Sequence, residues 1–245
     1  MSDVVILGHS FVVRLKDSLT RDWFNLGLDL SHLRIHCLGK RGGRIPHIIA
    51  QELSSKIKEI RPLVVLLQIG GNDLDCDNFD SFFPRLASKV HSVAQWLVEG
   101  HGVRQVCIMQ LLHREKTRKV NVQRYNSAVD KINVQLKELC ADTNNTFYWR
   151  HKGLKGALTE SLHRDGVHLN RAGMRKYIYS VRGAALHNSR VRYSSRTTVL
   201  CCCVGYSSVT AVTYCHVGYF REMTIMCRVR YSSRMTILCC CCWVF

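Results

Sequence analysis

Short apolar runs alternate with longer amphipathic stretches along the first three quarters of the chain, and this alternation restricts the fold more than any other feature. Five runs rich in β-branched and aliphatic residues predict strands at Val4–Leu7, Leu33–Leu38, Leu63–Ile69, Val103–Leu112 and Thr146–Trp149. The intervening and following stretches predict helices at Phe11–Trp23, Pro46–Ile60, Phe79–Glu99, Lys119–Ala141 and Arg171–Leu186. Because such alternation forms βαβ units, the sequence predicts an α/β fold with a parallel sheet covered by helices on both faces.

Polar, glycine-containing clusters follow the first three predicted strands, and a fourth cluster precedes the last predicted helix. In chain order they are Gly8-His9-Ser10, GKRGGRI at residues 39–45, GGNDLD at residues 70–75 and RDGVHLN at residues 164–170. In open α/β sheets, ligands and active residues lie in the loops at the carboxyl ends of the strands. We therefore expect the functional side chains of this chain in these four clusters.

The first and last clusters contain the residue types of a serine nucleophile site. A serine hydroxyl becomes reactive when a histidine accepts its proton and an acid holds that histidine in the correct tautomer. Ser10 is the candidate nucleophile, His168 is the candidate base, and Asp165 is the candidate orienting acid. This combination predicts acyl-transfer chemistry.

Acyl transfer also requires hydrogen-bond donors at the position where the oxyanion develops. The clusters offer three: the backbone N–H of Ser10, the backbone N–H of Gly42 or Gly43, and the side-chain amide of Asn72. The sequence does not decide between the two glycines, so both remain candidates for the oxyanion hole.

Each candidate residue also has a purely structural interpretation. Ser10 could cap the helix that follows it, and Asn72 could be a turn residue. Asp165 and His168 could belong to a loop in which Asn170 caps the last helix. Together these interpretations require four independent coincidences in one chain, which favours a catalytic site.

The four clusters, taken together, resemble those of the SGNH hydrolases, also called GDSL-type esterases and lipases. The resemblance covers roughly residues 3–187 and rests on GHS, KRGGRI, GGND and DGVH in that order. One position departs from the family pattern, because His9 stands where an aspartate is usual. His9 either adds a positive charge or forms a hydrogen bond within the loop, and the second is favoured. GHSFV is also similar to the variant domains found in open reading frames of retroelements.

The resemblance implies a flavodoxin-like three-layer α/β/α sandwich around a five-stranded parallel sheet. It also implies a serine esterase or acylhydrolase that cleaves a small ester or acylated substrate through an acyl-enzyme on Ser10, without a cofactor. The alternative is a catalytically inactive module of the same fold, whose basic surface binds nucleic acid or anionic lipid. We expect no metal, because histidines such as His113, His151 and His163 lack metal-ligand spacing.

Charge and cysteine usage bear on partners and location. The 245-residue chain carries a formal net charge of +17, with Lys and Arg dispersed among acids. One interpretation of this charge is weak association with nucleic acid or an anionic membrane surface. A diffusely basic surface without such a partner is an equally good interpretation. Met1-Ser2-Asp3 leads directly into a strand and no apolar run reaches the ~18 residues of a membrane span, so we expect a cytoplasmic protein. Unpaired thiols are then expected at Cys37, Cys76, Cys107 and Cys140.

The composition changes after residue 190. Nine of the 13 cysteines lie in residues 191–245, where VRYSSRTTVLCCC at residues 191–203 returns as VRYSSRMTILCCCC at residues 229–242. We interpret residues 1–190 as an SGNH hydrolase-like domain. The rest is interpreted as a repetitive Cys-, Tyr- and Ser-rich tail that is not an independent domain and arose by translation of a tandem nucleotide repeat. The alternative is lipid attachment at the final Cys-Trp-Val-Phe, which loosely matches a prenylation pattern.

Overall fold

The computed structural model describes residues 2–19, 21–154, 156, 159–194, 227–230 and 236–239. The chain divides into two units, Met1–Thr197 and Thr198–Phe245. The strands of the first unit are β1 (Ser2–Gly8), β2 (Leu33–Gly39), β3 (Val64–Gln68), β4 (Gln105–Met109) and β5 (Thr146–Trp149). They form one sheet in the order β2-β1-β3-β4-β5, and every neighbouring pair is parallel.

Helices connect the strands and follow the last one. They are α1 (Ser10–Ser18), α2 (Ile45–Ile48), α3 (Gln51–Ile60), α4 (Gly71–Leu74), α5 (Phe79–His101), α6 (Val122–Ala141) and α7 (Arg171–Ser194). Two 3₁₀ segments, Arg21–Gly27 and Thr159–Ser161, lie in the connections before β2 and α7. Each parallel crossover therefore carries its helix on one face of the sheet, as βαβ units require.

The sheet separates two hydrophobic cores because successive strand side chains point to opposite faces. In β1, Val5 and Leu7 contribute to the core that α2, α3, α5 and α6 cover, whereas Val4 and Ile6 contribute to the core that α1 and α7 cover. These four strand side chains are fully buried. The predicted α/β/α sandwich with a five-stranded parallel sheet is confirmed.

Several helix boundaries differ from the predicted ones. α1 ends at Ser18 because Leu19 adopts an extended conformation (φ −71°, ψ 113°). The helix predicted at Pro46–Ile60 is divided into α2 and α3 because Ala50 is also extended (φ −60°, ψ 154°). α7 continues past Leu186 to Ser194, so it crosses residue 190. The domain boundary at residue 190 stays a prediction.

Gly8 determines how the chain leaves β1. It pairs with Gly39 of β2 and with Gln68 of β3, at the end of both ladders. A Cβ atom at this position would overlap the carbonyl oxygen of Gln68 and would lie 2.9 Å from Cγ2 of Val12, so only glycine fits. α1 begins two residues later, and Ser10 is thereby placed at the carboxyl edge of the sheet.

The second unit contains two short strands, β6 (Cys227–Arg230) and β7 (Thr236–Cys239), which pair antiparallel. The cysteine clusters at residues 201–203 and 240–242 and the final Cys-Trp-Val-Phe lie outside the described residues. The repeat-derived origin of the tail and the alternative of lipid attachment therefore stay predictions.

Candidate active site

Ser10 is the first residue of α1, and the residue before it caps the helix. His9 is extended and its Nδ1 accepts a hydrogen bond from the backbone N–H of Phe11 at 3.4 Å. A helix leaves its first N–H groups without intrahelical partners. The backbone N–H of Ser10 is one of these groups, and its hydroxyl lies at the same sheet edge.

Asp165 and His168 come from the loop before α7. Nδ1 of His168 lies 2.8 Å from Oδ2 of Asp165, and Nε2 lies 2.9 Å from Oγ of Ser10. The other carboxylate oxygen of Asp165 accepts the backbone N–H groups of Val167 and His168, at 2.9 and 2.8 Å. A carboxylate at Nδ1 fixes the proton there, so Nε2 is left to accept the Ser10 hydroxyl proton.

The charge state of this pair follows from its surroundings. Burial alone would raise the pKa of Asp165, but the hydrogen bonds from the backbone N–H groups of His168 and Val167, and from the imidazole, bring it well below its usual value. Burial lowers the pKa of His168, Arg14 and Arg114 lower it further, and Asp165 opposes this shift. Asp165 is therefore a carboxylate and His168 is a neutral base near neutral pH.

Asn72 lies in α4, directly after the end of β3. One of its amide hydrogens is donated to the carbonyl oxygen of Gly43 at 2.9 Å, and its Oδ1 accepts a hydrogen bond from Arg114 at 2.7 Å. A side-chain amide has two N–H donors, so a second one is available to a ligand. Asn72 lines the same cavity as Ser10 and His168.

The two candidate glycines differ in their surroundings. The backbone N–H of Gly43 donates to the carbonyl oxygen of Lys40 at 3.0 Å and closes a turn. Gly42 has a positive φ of 64° and lies on the wall of the cavity that Ser10 and Asn72 line. Gly42 therefore has the better position for donating to a ligand.

The structure also places Arg114 on the wall of this cavity, although the sequence did not indicate it. Its side chain is 6% exposed, forms an ion pair with Asp75 (Nη1–Oδ2 3.4 Å) and lies over the ring of Tyr125. Asp75 also accepts backbone N–H groups from Arg118 and Lys119, which holds the loop after β4 against α4. Arg114 is one of 35 Lys and Arg residues, and no sequence signal separates it from the others.

His9 is neutral in this environment. Burial lowers its pKa to about 3, and the positive charge of Arg114 and the neighbouring His168 act in the same direction. It is 2% exposed and its ring packs in a tilted arrangement against the ring of Phe11, with centroids 5.1 Å apart and an interplanar angle of 52°. Of the two sequence interpretations, the geometry favours the hydrogen bond and not an added charge.

The cavity at Ser10 has a volume of about 400 Å³, which is within the range of small-ligand sites. Asp165, His168, Gly42 and Asn72 line it together with Ser10, so the four sequence clusters converge on one place.

A model of the GDSL-like lipase/acylhydrolase family matches residues 11–179, which is more than half of the chain. The chain belongs to this family. The prediction of an ester-bond hydrolase of the SGNH or GDSL type is confirmed.

Solved structures support the fold of this GDSL-family chain. A GDSL-like lipase from Bacteroides thetaiotaomicron is 16% identical with a TM-score of 0.54, over 76% of this chain and 88% of the other. A carbohydrate esterase of family 3 from Talaromyces cellulolyticus is 12% identical with a TM-score of 0.54, over 78% and 99%. An acetyl xylan esterase is 19% identical with a TM-score of 0.55, over 74% and 98%. At these identities the likeness shows the fold alone.

No curated protein matches the sequence of this GDSL-family chain. Its similarity to retroelement-associated domains stays a prediction, as does association with nucleic acid or an anionic membrane. Among the described residues, no helix is both long enough and apolar enough to cross a membrane.

Proposed function

We propose that this protein is a serine esterase that cleaves carboxylic esters through an acyl-enzyme on Ser10. One observation carries the proposal: Asp165, His168 and Ser10 form an uninterrupted chain of hydrogen bonds of 2.8 and 2.9 Å that ends at the serine hydroxyl in an open cavity. A structural cap at Ser10 would not need a histidine contributed from 158 residues further along the chain.

In the first half of the reaction, Oγ of Ser10 attacks the ester carbonyl carbon while its proton moves to Nε2 of His168. The tetrahedral intermediate collapses, the bond to the alcohol oxygen breaks, and the alcohol leaves with that proton from His168. Asp165 remains a carboxylate and stabilises the imidazolium, consistent with its lowered pKa.

In the second half, water takes the place of the alcohol. His168 accepts a proton from water, the resulting hydroxide attacks the acyl carbon, and the carboxylic acid leaves as Oγ of Ser10 regains its proton. The backbone N–H groups of Ser10 and Gly42 and the remaining amide hydrogen of Asn72 stabilise the oxyanion in both halves. Loss of one such donor typically costs ~10²–10³ in turnover.

The test is hydrolysis of para-nitrophenyl acetate and butyrate by the full chain. We expect turnover that Ser10→Ala and His168→Ala abolish, and covalent labelling at Ser10 by a fluorophosphonate, located by peptide mass spectrometry. Ser88→Ala and His32→Ala, at exposed positions outside the cavity, are the matched controls and retain parental turnover. If the folded parent shows neither turnover nor labelling but binds RNA in a salt-sensitive way that Ser10→Ala leaves unchanged, the proposal fails and a basic binding module replaces it.

A further inference from the structure

The cavity around Ser10 is strongly cationic. Two aspartates line it, whereas six basic residues do so: Arg14, Arg41, Arg44, Arg114, Lys116 and Arg118. The basic residues come from α1, from the loop after β2 and from the loop after β4, so three separate parts of the chain contribute to the charge of the cavity. A concave site lined by one sign of charge focuses its field and concentrates ligands of the opposite sign.

Both aspartates already have hydrogen-bond or ion-pair partners within the protein. Asp75 is paired with the buried Arg114 and accepts two backbone N–H groups. Asp165 accepts Nδ1–H of His168 and two further backbone N–H groups. Asp165 also lies 3.8 Å from Nη2 of Arg14, but neither carboxylate forms an ion pair with Arg44, Lys116 or Arg118.

Arg44, Lys116 and Arg118 keep their charge unpaired. Within the described part of the chain, none of the three forms an ion pair with a carboxylate. Nζ of Lys116 donates to the carbonyl oxygen of Arg164 at 3.1 Å, and a guanidinium N–H of Arg44 approaches the carbonyl oxygen of Asp75 at 3.5 Å. These contacts to neutral carbonyls orient the cations but leave their charge available.

The position of these cations sets them apart from the rest of the basic surface. Some exposed cations elsewhere in the described residues have carboxylate partners, as in the pairs Lys56–Glu52 and Lys119–Asp77, whereas others, such as Arg34, have none. Arg44, Lys116 and Arg118 differ from those because they line one small cavity together with the nucleophile. A cavity of about 400 Å³ holds a small molecule or one end of a lipid, and does not hold a folded macromolecule.

Building on the proposed esterase function, we propose that the substrate is a small or lipid ester that carries an anionic group, a phosphate or a carboxylate, close to the ester bond. Ser10 attacks the ester while Arg44, Lys116 and Arg118 bind the anion. Guanidinium groups suit both anions, because their planar forks match the oxygens of phosphate and carboxylate. Binding of the anion beside the nucleophile also positions the ester carbonyl.

The test compares pairs of esters that differ only in the anionic group. The phosphate pair is glycerol monoacetate and its phosphate monoester, and the carboxylate pair is para-nitrophenyl butyrate and para-nitrophenyl hemisuccinate. For the full chain we expect kcat/KM to be about tenfold or more higher for the anionic member of at least one pair. The pair with the larger ratio tells phosphate from carboxylate recognition.

The cations are tested with the double variant Arg44→Gln, Arg118→Gln. We expect the anionic-to-neutral ratio of kcat/KM to fall by about tenfold, since each exposed ion pair contributes up to about fivefold. Arg34→Gln, an exposed arginine outside the cavity, is the matched control and keeps the parental ratio. If the double variant does not fold, the parental ratio is followed against salt, and it should fall steeply as the Debye length shortens from about 30 Å at 0.01 M to about 3 Å at 1 M.

A binding measurement separates this inference from the esterase proposal. By calorimetry, the full-length Ser10→Ala protein should bind glycerol phosphate or succinate but not glycerol, whether or not the parent turns over any ester. Turnover of neutral esters with no anionic preference, and no such binding, overturns the substrate inference and leaves the esterase proposal standing. Binding of RNA alone, without binding of either small anion, overturns it in favour of a nucleic-acid surface.

Discussion

Arg114 donates a hydrogen bond of 2.7 Å to the side-chain oxygen of Asn72, from a position where it is only 6% exposed. Because the oxygen of Asn72 is held there, its amide nitrogen is directed toward Gly43 and the cavity. The hydrogen bond also polarises the amide and strengthens its N–H groups as donors. Arg114 is thus a positioning residue for the proposed oxyanion hole.

The first prediction concerns this pair. We expect Arg114→Gln to lower kcat by about 10- to 100-fold, part of the ~10²–10³ that an oxyanion donor supplies, with a smaller change in KM. The variant should also lose about 3–5 kcal/mol of stability, because the buried carboxylate of Asp75 loses its cation, although it keeps the backbone N–H groups of Arg118 and Lys119. Thermal denaturation of the variant checks the fold.

A double-mutant cycle distinguishes positioning from a general structural effect. If Arg114 acts through Asn72, Arg114→Gln should lower kcat by less than about threefold in an Asn72→Ala background, because residues in contact are not additive. An equal loss of kcat in both backgrounds would contradict the positioning role.

The second prediction concerns Asp165. Asp165→Asn keeps an oxygen for the N–H groups of Val167 and His168, so the loop should be retained. The new amide, however, offers a donor to Nδ1 of His168, which favours the tautomer with the proton on Nε2. That tautomer cannot accept the Ser10 proton, and kcat should fall by about 10⁴, as in serine proteases with the same change. Steady-state kinetics with circular dichroism check this, and a loss below about tenfold would remove Asp165 from the mechanism.

The sequence allowed the sheet, its edge and the proposed triad to be predicted because these depend on local patterns. Continuous apolar runs indicate doubly buried strands, and a cluster such as Gly8-His9-Ser10 at a strand end places a side chain at the carboxyl edge. The hydrogen bond between Ser10 and His168 then needs only the correct strand order. The neighbouring clusters were therefore informative together, although each was weak alone.

Features that depend on contacts between distant residues could not be predicted in this way. Asn25, in the segment after α1, is buried and bonds to the backbone of Leu33 and Ile35, and these bonds hold the segment against β2. Apolar periodicity cannot detect such a bond, because it describes one face of an element and not its end. Arg114 and Asn72, 42 residues apart, are a second example.

The third prediction concerns His9, which stands where relatives usually have aspartate. His9→Asp places a carboxylate near His168 in place of a neutral imidazole, and a negative charge favours the imidazolium. The pKa of His168 should therefore rise, and the acid limb of the kcat/KM profile should move to higher pH. Aspartate also caps helices well. The free energy of unfolding of His9→Asp should therefore exceed that of His9→Ala, which loses the cap at a cost of about 1 kcal/mol.

Urea denaturation of the two His9 variants and pH profiles of His9→Asp check both parts. His9→Asn, which can cap the helix without a charge, is the matched control and should leave the acid limb where the parent has it. An acid limb that moves equally in His9→Asp and His9→Asn would contradict the electrostatic explanation.

The fourth prediction concerns pH and the charge of the cavity. His168 must be neutral to accept the Ser10 proton, so kcat/KM rises as His168 loses its proton. Burial, Arg14 and Arg114 lower the pKa of His168 against the opposing Asp165, so the midpoint of the acid limb should lie below the unshifted value of 6.5. Nη2 of Arg14 is 3.8 Å from Oδ2 of Asp165, and both are only partly exposed.

Arg14→Gln removes a positive charge that disfavours the imidazolium form of His168. It also removes a cation that partly neutralises the negative charge of Asp165, so this carboxylate favours the imidazolium more strongly. Both effects stabilise protonated His168, so the acid limb should shift to higher pH, and the shift should shrink at high salt because Arg14 is partly exposed. The profile is measured with para-nitrophenyl butyrate, whose neutral acyl group keeps substrate charge constant. Arg34→Gln, distant from the cavity, should not move the limb. A shift of the Arg14→Gln limb toward lower pH would show that another group, and not His168, controls it.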